Sequence, residues 1–346
     1  MKKKIVHLIP SNKIGGVEIA AKSAENYLRD YYDFKLDFVF KYSHKTIFNQ
    51  ILGVLRSCTR LFFKPPDVLI TSLWITVLIA LPLKLVYGKR ITWIHFMHNI
   101  IFFHFLDKTL SKIGLYKCDF VFVDSKSTKL FVKKITLKNH YSISFILNKT
   151  GTIPKKNEIN HNEISFVFIG RVVDQKNLEL AIKVIYRLTK EGYPVHFDIY
   201  GPIEMNLNKL ESLIDSFQIS DYISFKGPIQ SDNVNSLLNQ YDFYLQTSKA
   251  EGMAITVVQA MQQGLVCLVT PVGEIGNYSK NMISAVHLNS EEISDFNNFI
   301  YNIETCINNP DVYSSISESA FNTFSQKLTY KESLKSAIDK VLKKVS

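Results

Sequence analysis

Arg171 and Lys176 stand five residues apart, behind an apolar run (164–169) and ahead of an amphipathic stretch (178–188). A strand ending in Gly170-Arg171 and a helix starting near Lys176 would set two cations over the strand's carboxyl end. An arginine fork and a lysine point charge together suit a diphosphate, although ordinary surface charge has the same appearance. A second chemical group lies in 241–277, YDFYLQTSKAEGMAITVVQAMQQGLVCLVTPVGEIGN. A short strand (243–245) leads into a polar loop with Ser248 and Glu251, and Gly252 opens an apolar helical run. Gly264 stops that helix, a second strand (266–270) follows, and Pro271-Val272-Gly273 turns the chain. In such a βαβ unit, ligands bind at the carboxyl ends of the strands. A helix N-terminus there offers free N–H groups to phosphate. A carboxylate one residue earlier would repel phosphate, so Glu251 is read as accepting from hydroxyls. The predicted ligand is phosphorylated and rich in hydroxyls.

Two places in the first half add candidates. Gly15-Gly16 separates a strand (4–9) from a helix (17–28) and permits close backbone approach by a ligand. It is not GxGxxG, so a dinucleotide fingerprint is absent, and a plain βα turn is equally compatible. In RITWIHFMH (90–98) the strand is read as 91–94, with His95 at its carboxyl end, where an open α/β sheet places functional groups. His98 follows in the loop. A histidine at a strand end is also a common structural residue. No Ser-His-Asp or Cys-His arrangement, no DxD motif and no His/Asp metal cluster is apparent.

The 241–277 stretch resembles the donor-site signature of family 4 retaining glycosyltransferases, which have the GT-B fold. Asp242, Ser248, Glu251, Gly252, Ala260, Met261 and Gly264 match it, whereas Thr247 replaces a proline and Gln259 replaces the second glutamate of a Glu-x7-Glu pair. Gly170-Arg171 with Lys176-Asn177 is similar to the family's diphosphate-holding segment. Gly15, Gly16 and Glu18 are similar to its first turn, and His95 to its cleft histidine. The resemblance covers nearly the whole chain. It implies an α/β protein of two Rossmann-like βαβ domains facing across a cleft. It also implies a nucleotide-sugar donor, an acceptor hydroxyl attacking on the face that the diphosphate leaves, and retained configuration. The implied catalytic residues are His95, Glu251, Arg171 and Lys176. The implied donor-binding residues are Gly15, Gly16, Gly170, Arg171, Lys176, Glu251, Gly252, Met253, Ala254, Ile255 and Gln259. With charge stabilisation from two cations and amides, neither a metal nor a cofactor is expected. An amide at Gln259 offers one acceptor oxygen and one donor group in place of a carboxylate, so ribose binding should persist but weaken.

The 346 residues suit two α/β domains. They are expected at 1–149, which would bind the acceptor, and 164–328, which would bind the nucleotide sugar. A polar linker (150–163) is expected between them, and an amphipathic C-terminal helix (329–346) should cross back to the first domain. Residues 1–149 hold 24 Lys and Arg against 9 Asp and Glu, while the rest hold 17 against 22, so the halves carry +15 and −5. The basic half calls for an anionic partner. A membrane surface fits, with residues 41–64, around a basic amphipathic helix (47–62), as the candidate segment for acceptor or membrane-surface contact, and a solvated lysine-rich surface is the plain alternative. No nucleic-acid module is recognised. The longest uncharged run, 68–83, has 16 residues, short of the roughly 20 of a membrane span. The N-terminus lacks signal-peptide form, and four scattered cysteines suit a reducing compartment. The expectation is a cytoplasmic enzyme, peripheral at the inner face of the cell membrane, acting on a saccharide or lipid-linked acceptor in bacterial surface polysaccharide synthesis. The rival readings are a sugar-nucleotide epimerase and a binding protein without turnover.

Overall fold

The structure, a computed structural model, describes residues 2–12, 15–40, 47–98, 100, 102, 104–149 and 159–345. Most of the expected linker, 150–158, lies outside the described residues. Two compact units result: residues 1–148 with 328–346, and residues 149–327.

The first unit alternates strand and helix: β1 (Lys4–Ser11), α1 (Gly16–Arg29), β2 (Asp33–Phe40), α2 (Ile47–Phe63), β3 (Val68–Ser72), α3 (Val77–Tyr87), β4 (Thr92–Met97), α4 (Phe105–Lys117), β5 (Phe120–Val123), α5 (Lys126–Ile135) and β6 (His140–Ser142). All strand pairs are parallel, in the order β2-β1-β3-β4-β5-β6. Strands buried on both faces lose the polar alternation of a half-exposed sheet, and β3 and β4 are buried at every residue. Along β4 the side chains alternate. Trp93 and Met97 join Leu8, Leu69 and Val121 under Leu61, Leu83, Leu115 and Val132 from α2 to α5. Phe96 points the other way and stacks on Tyr330.

The second unit contains β7 (Ile164–Ile169), α6 (Leu178–Lys190), β8 (Val195–Tyr200), α7 (Asn208–Phe217), β9 (Ile223–Gly227), α8 (Val234–Leu238), β10 (Phe243–Gln246), α9 (Ile255–Gln262), β11 (Val266–Val269), α10 (Ile275–Tyr278), β12 (Val286–His287), α11 (Ile293–Asn308) and α12 (Pro310–Ser325). Its parallel sheet has the order β12-β11-β10-β7-β8-β9. The chain leaves β7 toward β9, then returns to β10 on β7's other side. The β7–β10 boundary is therefore a topological switch point, where helices diverge and ligands of open α/β sheets bind. The last helix, α13 (Tyr330–Val345), belongs to the first unit and packs on α1 and β6. The Tyr330 N–H donates to the Ile146 carbonyl at 2.6 Å, and the Ser144 N–H donates to Ser333 Oγ at 2.9 Å.

Candidate functional site

Both strands at the switch point of the second unit end in residues singled out in the sequence: Gly170 and Arg171 after β7, and Ser248 and Glu251 after β10. The loops are locked together by hydrogen bonds. Thr247 Oγ1 donates to the Asn177 carbonyl at 2.9 Å, so the residue standing in the proline position ties the strand end to the start of α6. The Lys249 N–H donates to the Gln175 carbonyl at 2.9 Å, and Gln175 Nε2 donates to the Ala250 carbonyl at 2.7 Å. Gly273, at φ +61°, passes so close to Glu251 that a Cβ would overlap its carbonyl oxygen. The Glu274 N–H then donates to the Gly252 carbonyl at 3.0 Å.

This frame brings Lys176 and Glu251 together. Lys176 Nζ lies 2.6 Å from Glu251 Oε1, and their side chains are 16% and 7% exposed. Gln246 Nε2 donates to the same oxygen at 3.1 Å, and Tyr244 O–H donates to Gln246 Oε1 at 2.9 Å. Gln246 and Tyr244 thus hold the carboxylate from beneath. Sequence reading missed both, because they sit in an apolar strand. Arg171 does not join this pair. It is half exposed and bonded to Glu204 at 3.0 Å. Gln259 Nε2 donates to Asn235 Oδ1 at 3.4 Å.

The helix start differs from expectation. Gly252, Met253 and Ala254 form a turn, and α9 begins at Ile255 with Ala254 left-handed at φ +49°. The first-turn amides of α9 therefore come from Ile255 onward, and Gly252 to Ala254 contribute as loop. Gly264, at φ +74°, does end the helical segment: its N–H donates to Met261 and that of Leu265 to Ala260.

In the first unit, β4 runs through Met97, so His95 lies inside the strand and His98 at its end. His95 is buried, with Nδ1 3.1 Å from Thr71 Oγ1, and Gly114 of α4 leaves room for its ring. Burial, and secondarily the charge of His98, lowers its pKa to about 3, so the ring is neutral. His98 Nδ1 lies 2.6 Å from Asp124 Oδ2, and its Nε2 lies 3.0 Å from Ser72 Oγ. Ser72 Oγ is also 2.9 Å from Nε2 of buried His7. A Ser72–His98–Asp124 arrangement thus exists, contrary to the sequence reading, because three successive strand ends converge. Ser72 is fully buried and shared with His7, which is not the setting of a nucleophile. His104 caps α4 by accepting from the Asp107 N–H. Gly15 precedes α1, Gly16 is its first residue, and Glu18 lies in its first turn, beside a cavity.

Residues 149–323 match the family described as Glycosyl transferases group 1. The chain belongs to that family. Among relatives of this group 1 transferase, the GtfA subunit of a UDP-N-acetylglucosamine–peptide N-acetylglucosaminyltransferase from Streptococcus pneumoniae is 30% identical over 101 residues, 29% of this chain and 19% of that protein. Protein CapJ of Staphylococcus aureus is 27% identical over 159 residues, 44% of this chain and 40% of CapJ. The chain therefore spans less than half the length of either relative. Anabaena HepE in complex with UDP shares the fold at a TM-score of 0.78 and 15% identity, over 98% of this chain and 100% of that one. Sucrose-phosphate synthase of Thermosynechococcus elongatus does so at 0.77 and 12% identity, over 99% and 100%. These likenesses place the chain in the GT-B fold. Among the described residues, no helix is long and apolar enough to cross a membrane, and no group of three or more His, Cys, Asp or Glu could hold a metal.

Proposed function

We propose that this group 1 glycosyl transferase moves a sugar, with retention, from a nucleotide-sugar donor to a hydroxyl of a saccharide or lipid-linked acceptor in bacterial surface polysaccharide synthesis. The observation that carries this reading is the buried Lys176–Glu251 pair at the switch point of the second unit, 2.6 Å apart. Lys176 is held where a leaving diphosphate would gain from positive charge. Glu251, fixed by Lys176 and Gln246, has a second oxygen for sugar hydroxyls. Arg171 exchanges an exposed contact with Glu204 for phosphate at little cost, since such surface pairs contribute only about 0–1 kcal/mol. The amides of Ile255 and the residues after it add the positive end of α9. This set of charges does the work of a metal, and attack on the face that the diphosphate leaves calls for no protein nucleophile. The UDP complex of HepE is in keeping with a sugar-nucleotide donor.

The basic first half, and the apolar residues exposed along α2 and α3 (Leu55, Phe63, Leu85 and Val86 among them), favour a peripheral membrane location. The test is thermal unfolding with a panel of nucleoside diphosphates and their sugars. A ligand at a hundred times its Kd adds about 2.7 kcal/mol of stability. One base should shift the second unit's transition, and Lys176→Ala should abolish that shift. If no nucleotide acts, the donor site is absent.

A further inference from the structure

A cavity of about 240 Å³ opens in the second unit at the carboxyl ends of β10, β11 and β12, against the start of α6. We propose that it is a regulatory site for a neutral, hydroxyl-rich molecule the size of one sugar ring, whose presence tightens nucleotide binding at the Lys176–Glu251 pair. The regulatory half rests on the transferase reading; the binding half does not.

The cavity is separate from the donor groups. Its lining among the described residues does not include Arg171, Lys176, Gln246 or Glu251. Those belong to the β7–β10 boundary, whereas the cavity extends from β10 away from β7, between the loops that follow β11 and β12.

Ser248 is the group that calls for a ligand. It lines the cavity and is 1% exposed, and its Oγ has no hydrogen-bond partner among the described residues. The loop around it is held on both sides. The Ser248 carbonyl accepts from Thr270 Oγ1 at 2.6 Å. Its neighbours are tied to the segment that leads into α6, Thr247 through its hydroxyl and Lys249 through its N–H. A buried polar atom without a partner is costly. A serine hydroxyl both donates and accepts, so a ligand hydroxyl complements it.

The walls narrow the ligand further. Lys249 and Glu291 are the charged groups among the described lining residues, one of each sign, so the cavity favours no net charge. Glu291 Oε1 accepts from Asn177 Nδ2 at 3.1 Å, which fixes a carboxylate at the wall, where it repels phosphate and can accept from a hydroxyl. Between these polar groups stand Leu180, Pro271, Val272 and Leu288. Hydroxyl-binding groups interleaved with apolar faces suit a sugar ring, which carries hydroxyls at its edge and C–H groups on its faces. The volume falls below the roughly 300–1,000 Å³ of sites for drug-sized ligands, which limits the occupant to a single ring.

The cavity and the donor site share their loops. Asn177 follows Lys176 directly, Thr247 to Lys249 lie between Gln246 and Glu251, and Val272 precedes Gly273, whose backbone lies against the Glu251 carbonyl. A ligand that ties these three loops together orders them in advance, so nucleotide then binds more tightly. Linkage makes the effect mutual, and nucleotide must tighten the sugar by the same factor.

The test follows the full chain by saturation-transfer NMR on titration with glucose, galactose, N-acetylglucosamine and glucose 6-phosphate, with and without UDP, GDP, ADP, CDP and dTDP in turn. At least one neutral sugar should bind saturably, and glucose 6-phosphate at least tenfold more weakly. Ser248→Ala should weaken that sugar about fivefold, the loss of one hydrogen bond, without lowering Tm, because the hydroxyl it removes has no partner in the fold. Asn289→Trp, at an exposed position of the lining, should abolish sugar binding and leave nucleotide affinity measured without sugar unchanged. Sugar should tighten nucleotide binding at least threefold, and nucleotide should tighten the sugar equally. The proposal is overturned if no neutral sugar binds, if glucose 6-phosphate binds as tightly, or if Asn289→Trp keeps sugar binding. It is also overturned if Ser248→Ala lowers Tm and binds sugar as the native chain does, or if nucleotide affinity ignores the sugar. Nucleotide binding without sugar binding rejects the cavity and leaves the transferase reading standing. Sugar binding that Asn289→Trp abolishes, with no nucleotide bound, supports the cavity and rejects the donor site.

Discussion

Removing Lys176 should destabilise the second unit through Glu251. The pair is 2.6 Å apart with Glu251 only 7% exposed. Lys176→Met leaves a buried carboxylate whose remaining donor at that oxygen is Gln246 Nε2, at 3.1 Å. Breaking a buried ion pair from one side costs about 3–5 kcal/mol, and the Gln246 bond keeps this case near 3. For a unit of this size, each kcal/mol lowers Tm by about 2–4 °C, so a fall of about 6–12 °C is expected. Lys176→Met/Glu251→Gln removes both charges and should recover part of the loss, with a coupling energy of about 2 kcal/mol. Circular dichroism would follow both units. Trp74 and Trp93, the chain's two tryptophans, lie in the first unit and report it alone. A cost for Lys176→Met below about 1 kcal/mol, the range of exposed pairs, or two losses that simply add would show that the pair does not behave as a buried one.

Further predictions concern pH, the loop, the ribose and the membrane. His7 and His95 have folded pKa values lowered to about 3, chiefly by burial. The unfolded chain binds both protons near the ordinary 6.5, so their contribution is full above pH 6.5 and is lost as pH falls toward 3. The first unit should lose about 3 kcal/mol between pH 6.5 and 5, read as a lower urea midpoint by tryptophan fluorescence; an unchanged midpoint would mean that the two rings can charge in place. Gly273→Ala forces a Cβ onto the Glu251 carbonyl at φ +61° and should destabilise the second unit by about 1–3 kcal/mol. It should also weaken nucleotide binding, and wild-type binding by that variant would dissociate the loop from the site. Gln259→Glu should tighten donor binding about fivefold, by adding a charged acceptor for ribose hydroxyls worth about 1 kcal/mol; unchanged or weaker calorimetric affinity would remove Gln259 from the ribose site. The protein should cosediment with anionic vesicles at low salt and detach at high salt, whereas a protein that stays in the supernatant has no such surface.

The chemistry of the second unit was legible because it lies in short segments with their own signatures. Gly170-Arg171, Lys176 and Glu251 are each flanked by a strand and a helix start, and local pattern places them at the strand ends. Their pairing was not legible. Lys176 and Glu251 are 75 residues apart, and only the β7–β10 adjacency brings them together. Gln246 and Tyr244 were hidden because a polar side chain at the end of a buried strand looks like any other strand residue. The first unit misled at β4, where a strand buried on both faces gives no polar punctuation. TWIHFM therefore carries no mark of where it ends, and His95 was placed at an edge that belongs to His98. The convergence of Ser72, His98 and Asp124 needs the order of β3, β4 and β5, which no local pattern encodes. The apolar run after Gly252 carries no mark of where its helix begins, and α9 starts only at Ile255, behind a left-handed Ala254.

The central claim, a nucleotide-sugar site built on Lys176 and Glu251, is tested most directly by calorimetric titration of nucleoside diphosphates and nucleotide sugars into the full chain and into Lys176→Ala. The native protein should bind one base saturably, and the variant should bind it at least tenfold more weakly. Equal affinity in both proteins, or no binding by any nucleotide, would contradict it.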